Sequence, residues 1–339
     1  MISHVEKKVV HHVINNLNKK FGEYSPLSTS RGKKLECLGM TLDYMTKGKI
    51  TLSMYEYIDK MLTELPSDMN GVSKVPAAGH LFNINPDATK LQEDKAQLFH
   101  HLVAKLLYLC RRTRQDIQTA VAFLCTRVKD PDEDNYKKLT KVMQYFRNMK
   151  CLTLTIEPSE DPKWCVDSSY VVHSDMRSHT GVVMNMGKGA MYSTSTKQKL
   201  KTKSSTEAEL VAIDDVMAQV LWTRHFLTAQ GEYVPTMTIY QENKSKIPMV
   251  ENGKQSSSRW TRHLNVCYFF ITDKIQKGKV KVTLCPTHNM LADFFTKPLQ
   301  ESLFTWMRNK ILNLPCSTSP AVHRSVLDIH NFSKETMRR

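Results

Sequence analysis

The chain has 339 residues, 41% hydrophobic and 24% charged, with 48 Lys plus Arg against 33 Asp plus Glu, a formal net charge of +15. Its length and apolar content suit two ordinary folded domains and exclude wholesale disorder. The positive balance is spread over both halves, which favours a polyanionic partner such as nucleic acid over a membrane surface. Eight cysteines with no Cys-x-x-Cys pair and no zinc-module spacing read as buried free thiols of a reducing compartment. The opening MISHVEKKVV holds no apolar run and no stretch reaches bilayer length, so an intracellular soluble protein is expected.

From Val5 to Phe21, apolar residues recur at three- and four-residue steps, which predicts an amphipathic helix ending at Gly22. The alternation in KLECLGMTLDYMTKGKITLSM predicts one β-hairpin with its tip at Lys47-Gly48, and a helix opens at Ser53 and stops before Pro66. Residues 66–96, rich in Pro, Gly, Asn and Asp, read as a long surface connection, and 95–148 as an all-helical stretch. Beyond Lys150 the pattern turns to strands, CLTLTIEP, KWCVDSSYVV, TGVVMNM and GAMYSTST. A long helix over about 206–230 follows, then strand MTIYQEN, helix RHLNVCYFFITDKIQ, strand KVKVTLCP and a helix from LADFF to KIL. That order is α/β with its own core.

Four carboxylates stand where this pattern does not require them. Asp167 interrupts an apolar strand, Glu209 lies in the first turn of the long helix, Glu242 ends a strand and Asp293 begins a helix. Converging on one side of a sheet without basic partners, they repel unless divalent cations neutralise them, which points to a two-metal site for phosphodiester hydrolysis. Competing local roles exist: Ser204 with Glu207 and Thr206 with Glu209 both have capping-box spacing, and Asp293 suits a helix start through the dipole.

The words WCVDSSY, RSHTGVV, STKQKLKTKSSTEAEL, IYQENKS, RHLNVCYFF and LADFFTKPL, in this order, resemble the RNase H domain of copia-type (Ty1/copia) retrotransposon Pol polyproteins. Upstream, 21–44, 105–128 and 137–156 resemble the reverse-transcriptase tail and connection of the same polyproteins. The resemblance implies a mixed five-stranded RNase H-like sheet with flanking helices over 151–313. Before it, 1–150 would be a truncated α+β thumb and connection, and 314–339 a polar tail. It implies catalytic and metal-ligating roles for Asp167, Glu209, Glu242 and Asp293, with two Mg²⁺ ions that Mn²⁺ can replace. Where the family reads Asp-Asn-x-Ser, this chain reads Glu242-Asn243-Lys244-Ser245, a ligand longer by one methylene; Trp260 and Asn265 are further departures. The run Lys197, Lys199, Lys201, Lys203 is expected to contact phosphates, while His288 reads as a surface-turn histidine, with a role in product release or leaving-group protonation as the lesser alternative.

The partner implied is an RNA–DNA hybrid or other nucleic acid, with remaining Pol polyprotein chains as further partners and no membrane. The setting implied is the cytoplasm or a virus-like particle, or the nucleus. The polymerase signature Tyr-x-Asp-Asp is absent from the sequence, so no polymerase activity is expected, and 1–150 is expected to lack part of its natural cover. Two other classes compete with an active nuclease: a non-catalytic nucleic-acid-binding remnant, and a protein-interaction module.

Overall fold

The computed structural model describes residues 6–234, 236–242 and 262–314. Asn243, Lys244, Ser245 and Trp260 of the motif reading, and the tail from 315 onward, lie outside them. Helix α1 (Lys7–Phe21) ends at Gly22 as the periodicity predicts, yet none of its residues is buried. The expected hairpin is a three-stranded meander of β1 (Lys34–Cys37), β2 (Met40–Asp43) and β3 (Ile50–Ser53). The unforeseen turn is Leu38-Gly39, with φ of 53° and 72°. Tight two-residue hairpins need positive φ at both positions, and only the glycine advertises it.

Helix α2 (Tyr55–Thr63) leads into the long connection, which is anchored in the core by Met69, Leu81 and Phe82. Helices α3 (Glu93–Cys110), α4 (Gln118–Cys125) and α5 (Glu133–Met149) complete the helical stretch, with the Asp132 carboxylate capping α5. A single strand β4 (Leu154–Ser169), irregular between Pro158 and Lys163, then replaces the two expected separately. It is followed by β5 (His179–Lys188), β6 (Tyr192–Lys197), α6 (Ser205–Ala229), β7 (Met237–Gln241), α7 (Arg262–Gln276), β8 (Val280–Leu284) and α8 (Glu301–Leu312).

The sheet order is β6-β5-β4-β7-β8, antiparallel among the first three and parallel from β4 through β7 to β8. With α6 and α7 packed on one face, this is the RNase H-like fold the motifs imply. The first residues of β4, Leu154–Ile156, also pair with β3, so the meander joins the same sheet, which has eight strands among the described residues.

Both faces are covered, because side chains alternate along a strand and each set finds its own core. Trp164, Val166, Val182 and Met184 pack against Ile213, Val216, Met217 and Val220 of α6. Cys165 and Val183 turn the other way, into a larger core shared with α3, α4, α5 and α8. Much of the apolar surface in 1–150 therefore finds cover within the chain, with the Tyr145 and Phe304 rings 5.8 Å apart. Of the cysteines, Cys110, Cys165, Cys267 and Cys285 are buried free thiols, while Cys37 and Cys125 are half-buried and Cys151 is exposed. Among the described residues no helix is long and apolar enough to cross a membrane.

Two polar networks are sealed inside the larger core. Arg114 grips Asp116 with two nitrogens, at 2.9 and 2.7 Å, while the Tyr145 hydroxyl donates to Asp116 Oδ2 at 2.7 Å. Both charged side chains are fully buried, so removing one partner strands the other at a cost of about 3–5 kcal/mol. In the second network, Ser195 Oγ donates to the Phe295 carbonyl at 2.7 Å, so it accepts from His179 Nε2, also at 2.7 Å. His179 Nδ1 then accepts from His173 Nε2 at 3.0 Å, beneath the Phe82 ring.

That relay requires a neutral His179, because its Nδ1 must accept while its Nε2 donates. Burial lowers His179 to about 3, helped by His173, and lowers His173 to about 4, helped by the Lys197 charge and opposed by Asp175. Because both folded values lie below the unfolded one, their contribution to stability is complete above pH ~6.5 and is lost as pH falls towards the folded values. The urea midpoint of the parent chain is expected to drop more between pH 7.5 and pH 5 than that of His179→Gln; equal drops would remove the relay from the account.

Candidate metal centre and nucleic-acid interface

Asp167 lies two residues beyond Cys165 on β4, hence on the face of Val183 rather than that of Trp164. Tyr240, register partner of Cys165 on β7, puts Glu242, just past the end of that strand, on the same face. Asp293 belongs to a 3-10 turn, Leu291–Phe295. One oxygen from each of these three carboxylates lies within 4.8 Å of the others; Asp167 and Asp293 are buried and Glu242 half-buried.

The single helix expected from LADFF to KIL is in fact the 3-10 turn, a break at Pro298 and then α8. Proline has no N–H to continue a helix and disfavours helical backbone before it. The resulting tight turn folds Asp293 back over the sheet. Its carbonyls are held by three hydroxyls: Thr119 Oγ1 donates to Phe294 at 2.7 Å, Ser195 Oγ to Phe295, and Ser169 Oγ to Thr296 at 3.2 Å. Directly across from Asp167 in the register stands Gly181. A Cβ there would lie 2.5 Å from Thr296 Cγ2, 2.8 Å from the Ala292 carbonyl oxygen and 2.9 Å from the Phe295 carbonyl carbon. Only glycine lets the turn come this close, and Thr296 Oγ1 then donates to Asp167 Oδ2 at 2.5 Å.

The expectation of carboxylates without a basic partner is corrected by Lys297. Its ammonium is 3.0 Å from Asp293 Oδ1 and 4.0 Å from Asp167 Oδ2. At such separations two unit charges interact by about 4 kcal/mol at an effective dielectric near 20, so one cation matters. Burial, with the charges of Asp167 and Glu242, pushes the Asp293 carboxyl up to about 7 against the opposing pull of Lys297. Burial disfavours the Lys297 ammonium, but Asp167 and Asp293 outweigh it and hold that group above its ordinary range.

Glu209 stands outside the three-carboxylate group and accepts a hydrogen bond from Gln241 Nε2 at 3.2 Å, beside Glu242. The cap of α6 is made by other residues. Ser204 Oγ accepts from the Glu207 N–H at 3.2 Å, and Glu207 Oε2 accepts from the Lys203 N–H at 2.7 Å. Since Ser204 is the N-cap, Glu209 falls in the second turn of the helix, not the first. Glu242 accepts from the Thr287 hydroxyl, and His288, next along, is exposed.

The basic run is an alternating segment. Gln198 is buried, donating to Thr180 Oγ1 at 3.0 Å and to the Ala208 carbonyl at 2.8 Å, and Thr202 is buried against Ser178 at 3.2 Å. Between and beyond these anchors Lys199, Lys201 and Lys203 are exposed, whereas Lys197 is half-buried and paired with Asp175 at 2.7 Å. Sequence reasoning missed Gly181, Thr287, Thr296 and Lys297. The last two lie inside the word LADFFTKPL, and the four-residue step from Asp293 to Lys297 was the signal available.

Fold and site together define a protein of the RNase H-like class with a carboxylate cluster on its central strand. Its curated homologues are Pol polyproteins of copia/Ty1 retrotransposons. It is 26% identical over 281 residues to the Pol polyprotein of transposon TNT 1-94 of Nicotiana tabacum, covering 80% of this chain and 21% of that protein. It is 28% identical over 222 residues to that of transposon RE1 of Arabidopsis thaliana, covering 63% and 15%. Against the Ty1-GR3 Gag-Pol polyprotein of Saccharomyces cerevisiae it is 22% identical over 288 residues, covering 81% and 16%. The chain thus spans about a fifth or less of the length of these relatives. No family model matches it. Among solved structures, LC11-RNase H1 in complex with an RNA/DNA hybrid aligns at TM-score 0.30 and 13% identity, covering 40% of this chain and 93% of that one. The foamy viral protease-reverse transcriptase in complex with an RNA/DNA hybrid aligns at 0.43 and 10%, covering 96% and 37%.

Gly181→Ala is expected to lower stability by about 1–3 kcal/mol through overpacking and, with the turn displaced, to separate Asp293 from Asp167. Urea unfolding measures the first effect. The second is read from melting temperatures of parent and variant with and without Mg²⁺; a variant that matches a Mg²⁺ response of the parent would show that the turn does not need the close approach.

Proposed function

We propose that this chain is an RNase H-type nuclease that hydrolyses the RNA strand of RNA–DNA hybrids, without polymerase activity of its own. The observation that carries this reading is the convergence of Asp167, Glu242 and Asp293 on one point from β4, the end of β7 and the turn before α8. Three carboxylate oxygens are a hard donor set, which suits Mg²⁺ or Mn²⁺ better than a thiophilic ion. Asp167, Glu242 and Asp293 would hold such an ion, and Glu209, which accepts from Gln241 Nε2 next to Glu242 in the chain, would help hold a second. Ions held there would supply an activated water and positive charge at the leaving 3′ oxygen.

The chain's own groups do the remaining work in this reading. Thr296 fixes the rotamer of Asp167, and Thr287 that of Glu242. Lys199, Lys201 and Lys203 present point charges to the backbone of the duplex, adding affinity without sequence preference. Residues 1–150 are read as a reverse-transcriptase thumb and connection, and the remaining Pol chains as partners. A second reading, a nucleic-acid-binding protein without turnover, is favoured by Glu242 standing where the family reads Asp.

The test is cleavage of a labelled RNA–DNA hybrid in Mg²⁺ or Mn²⁺ by the parent, Asp167→Asn and Glu242→Asp. Cleavage by the parent that falls at least a hundredfold in Asp167→Asn is the expected result, on the order of the loss when a transition-state charge stabiliser goes. Cleavage by Glu242→Asp alone would establish the second reading, and silence in all three would refute hydrolysis.

A further inference from the structure

We infer that Lys297 is a resident counter-ion of the carboxylate cluster, which a divalent cation must displace in order to bind. The inference rests on the metal-site reading of Asp167, Glu242 and Asp293. Three observations carry it. The ammonium lies 3.0 Å from Asp293 Oδ1 and 4.0 Å from Asp167 Oδ2, so it stands against two of the three carboxylates that would coordinate the ion. The side chain is 45% exposed although its charged end points at buried carboxylates. It can therefore swing into solvent without opening the core. Its backbone is fixed: the preceding Thr296 bonds Asp167 and packs on Gly181, so displacement is a matter of the side chain alone.

An ammonium brings one charge and three donors on a flexible stem, whereas a divalent ion brings twice the charge and takes six or more oxygens. In the cation-free chain, Lys297 holds Asp167 and Asp293 together against their repulsion. At sufficient concentration the divalent ion replaces it, and the lysine sets the threshold. The cluster is consequently stable before metal arrives and binds metal less tightly than the same carboxylates would alone.

The experiment is Mg²⁺ titration of the full chain by calorimetry, with thermal melts in chelator, for the parent, Lys297→Met and Lys297→Arg. Lys297→Met is expected to melt lower than the parent in chelator and to bind Mg²⁺ roughly tenfold more tightly once the competing charge is gone. Lys297→Arg, which keeps the charge on a planar fork, is expected to bind no more tightly than the parent. In the parent, the ¹⁵N resonance of the Lys297 ammonium is expected to shift to a solvent-exposed position on addition of Mg²⁺. Unchanged affinity in Lys297→Met, tighter binding in Lys297→Arg or an unmoved resonance at saturating Mg²⁺ each overturns the inference while the metal site stands. Absence of Mg²⁺ binding in the parent and both variants removes the metal site itself, and this inference with it.

Discussion

The close approach of the 291–297 turn to the sheet at Gly181 is the constraint on which the rest depends. On its inner side the turn buries Phe294 and Phe295 in the core that also holds α3, α4, α5 and α8. On its outer side it presents Asp293, Thr296 and Lys297 to Asp167. Hydroxyls from α4, β4 and β6 hold its carbonyls, so a short segment with little regular structure is tied to three elements at once. Without a side chain at 181 the sheet offers a flat place for this contact, and the cluster's geometry follows from it.

The arrangement also explains how repelling groups share a buried corner. Asp293 is kept largely from solvent and its carboxyl is pushed up by burial and by its acidic neighbours. The opposing contribution comes from Lys297, on the same turn, so sequence proximity guarantees that the counter-charge arrives with the carboxylate. A pairing across the fold would depend on correct folding elsewhere; this one is local. The excess positive charge is arranged differently in the basic segment, where alternate residues Gln198 and Thr202 are sunk and the lysines between them face outward. One lysine, Lys297, thus serves the interior, while Lys199, Lys201 and Lys203 serve the surface.

Much of this was legible in the residues. The strand–helix order follows from apolar patterning, which also makes acids such as Asp167, Glu242 and Asp293 conspicuous, while the motif wording implies their roles. What the sequence hid was three-dimensional. Leu38 gives no sign of left-handed backbone, so the extra turn of the meander was missed. Apolar periodicity runs through Pro298, so turn and helix were joined into one. Two glutamates had capping spacing, and only the position of Ser204 as N-cap decides that Glu207 makes the cap. The basic partner of the cluster lay within the most specific motif, yet a list of residues does not say which way an ammonium points.

The length of β4 has a consequence for how the chain acquires its structure. Its first three residues close the meander of β1, β2 and β3, while the remainder forms the centre of the RNase H-like sheet. Contacts such as Thr119 with Phe294 span 175 positions, and Asp167 with Thr296 spans 129. At a synthesis rate of about 5–20 residues per second, the early helices wait many seconds on the ribosome for the turn that completes their core. Native topology rich in such distant pairings folds slowly, since loop closure precedes its reward. The apolar surface of α3, α4 and α5 that Phe294, Phe295 and Phe304 cover therefore stays open until those residues have been made.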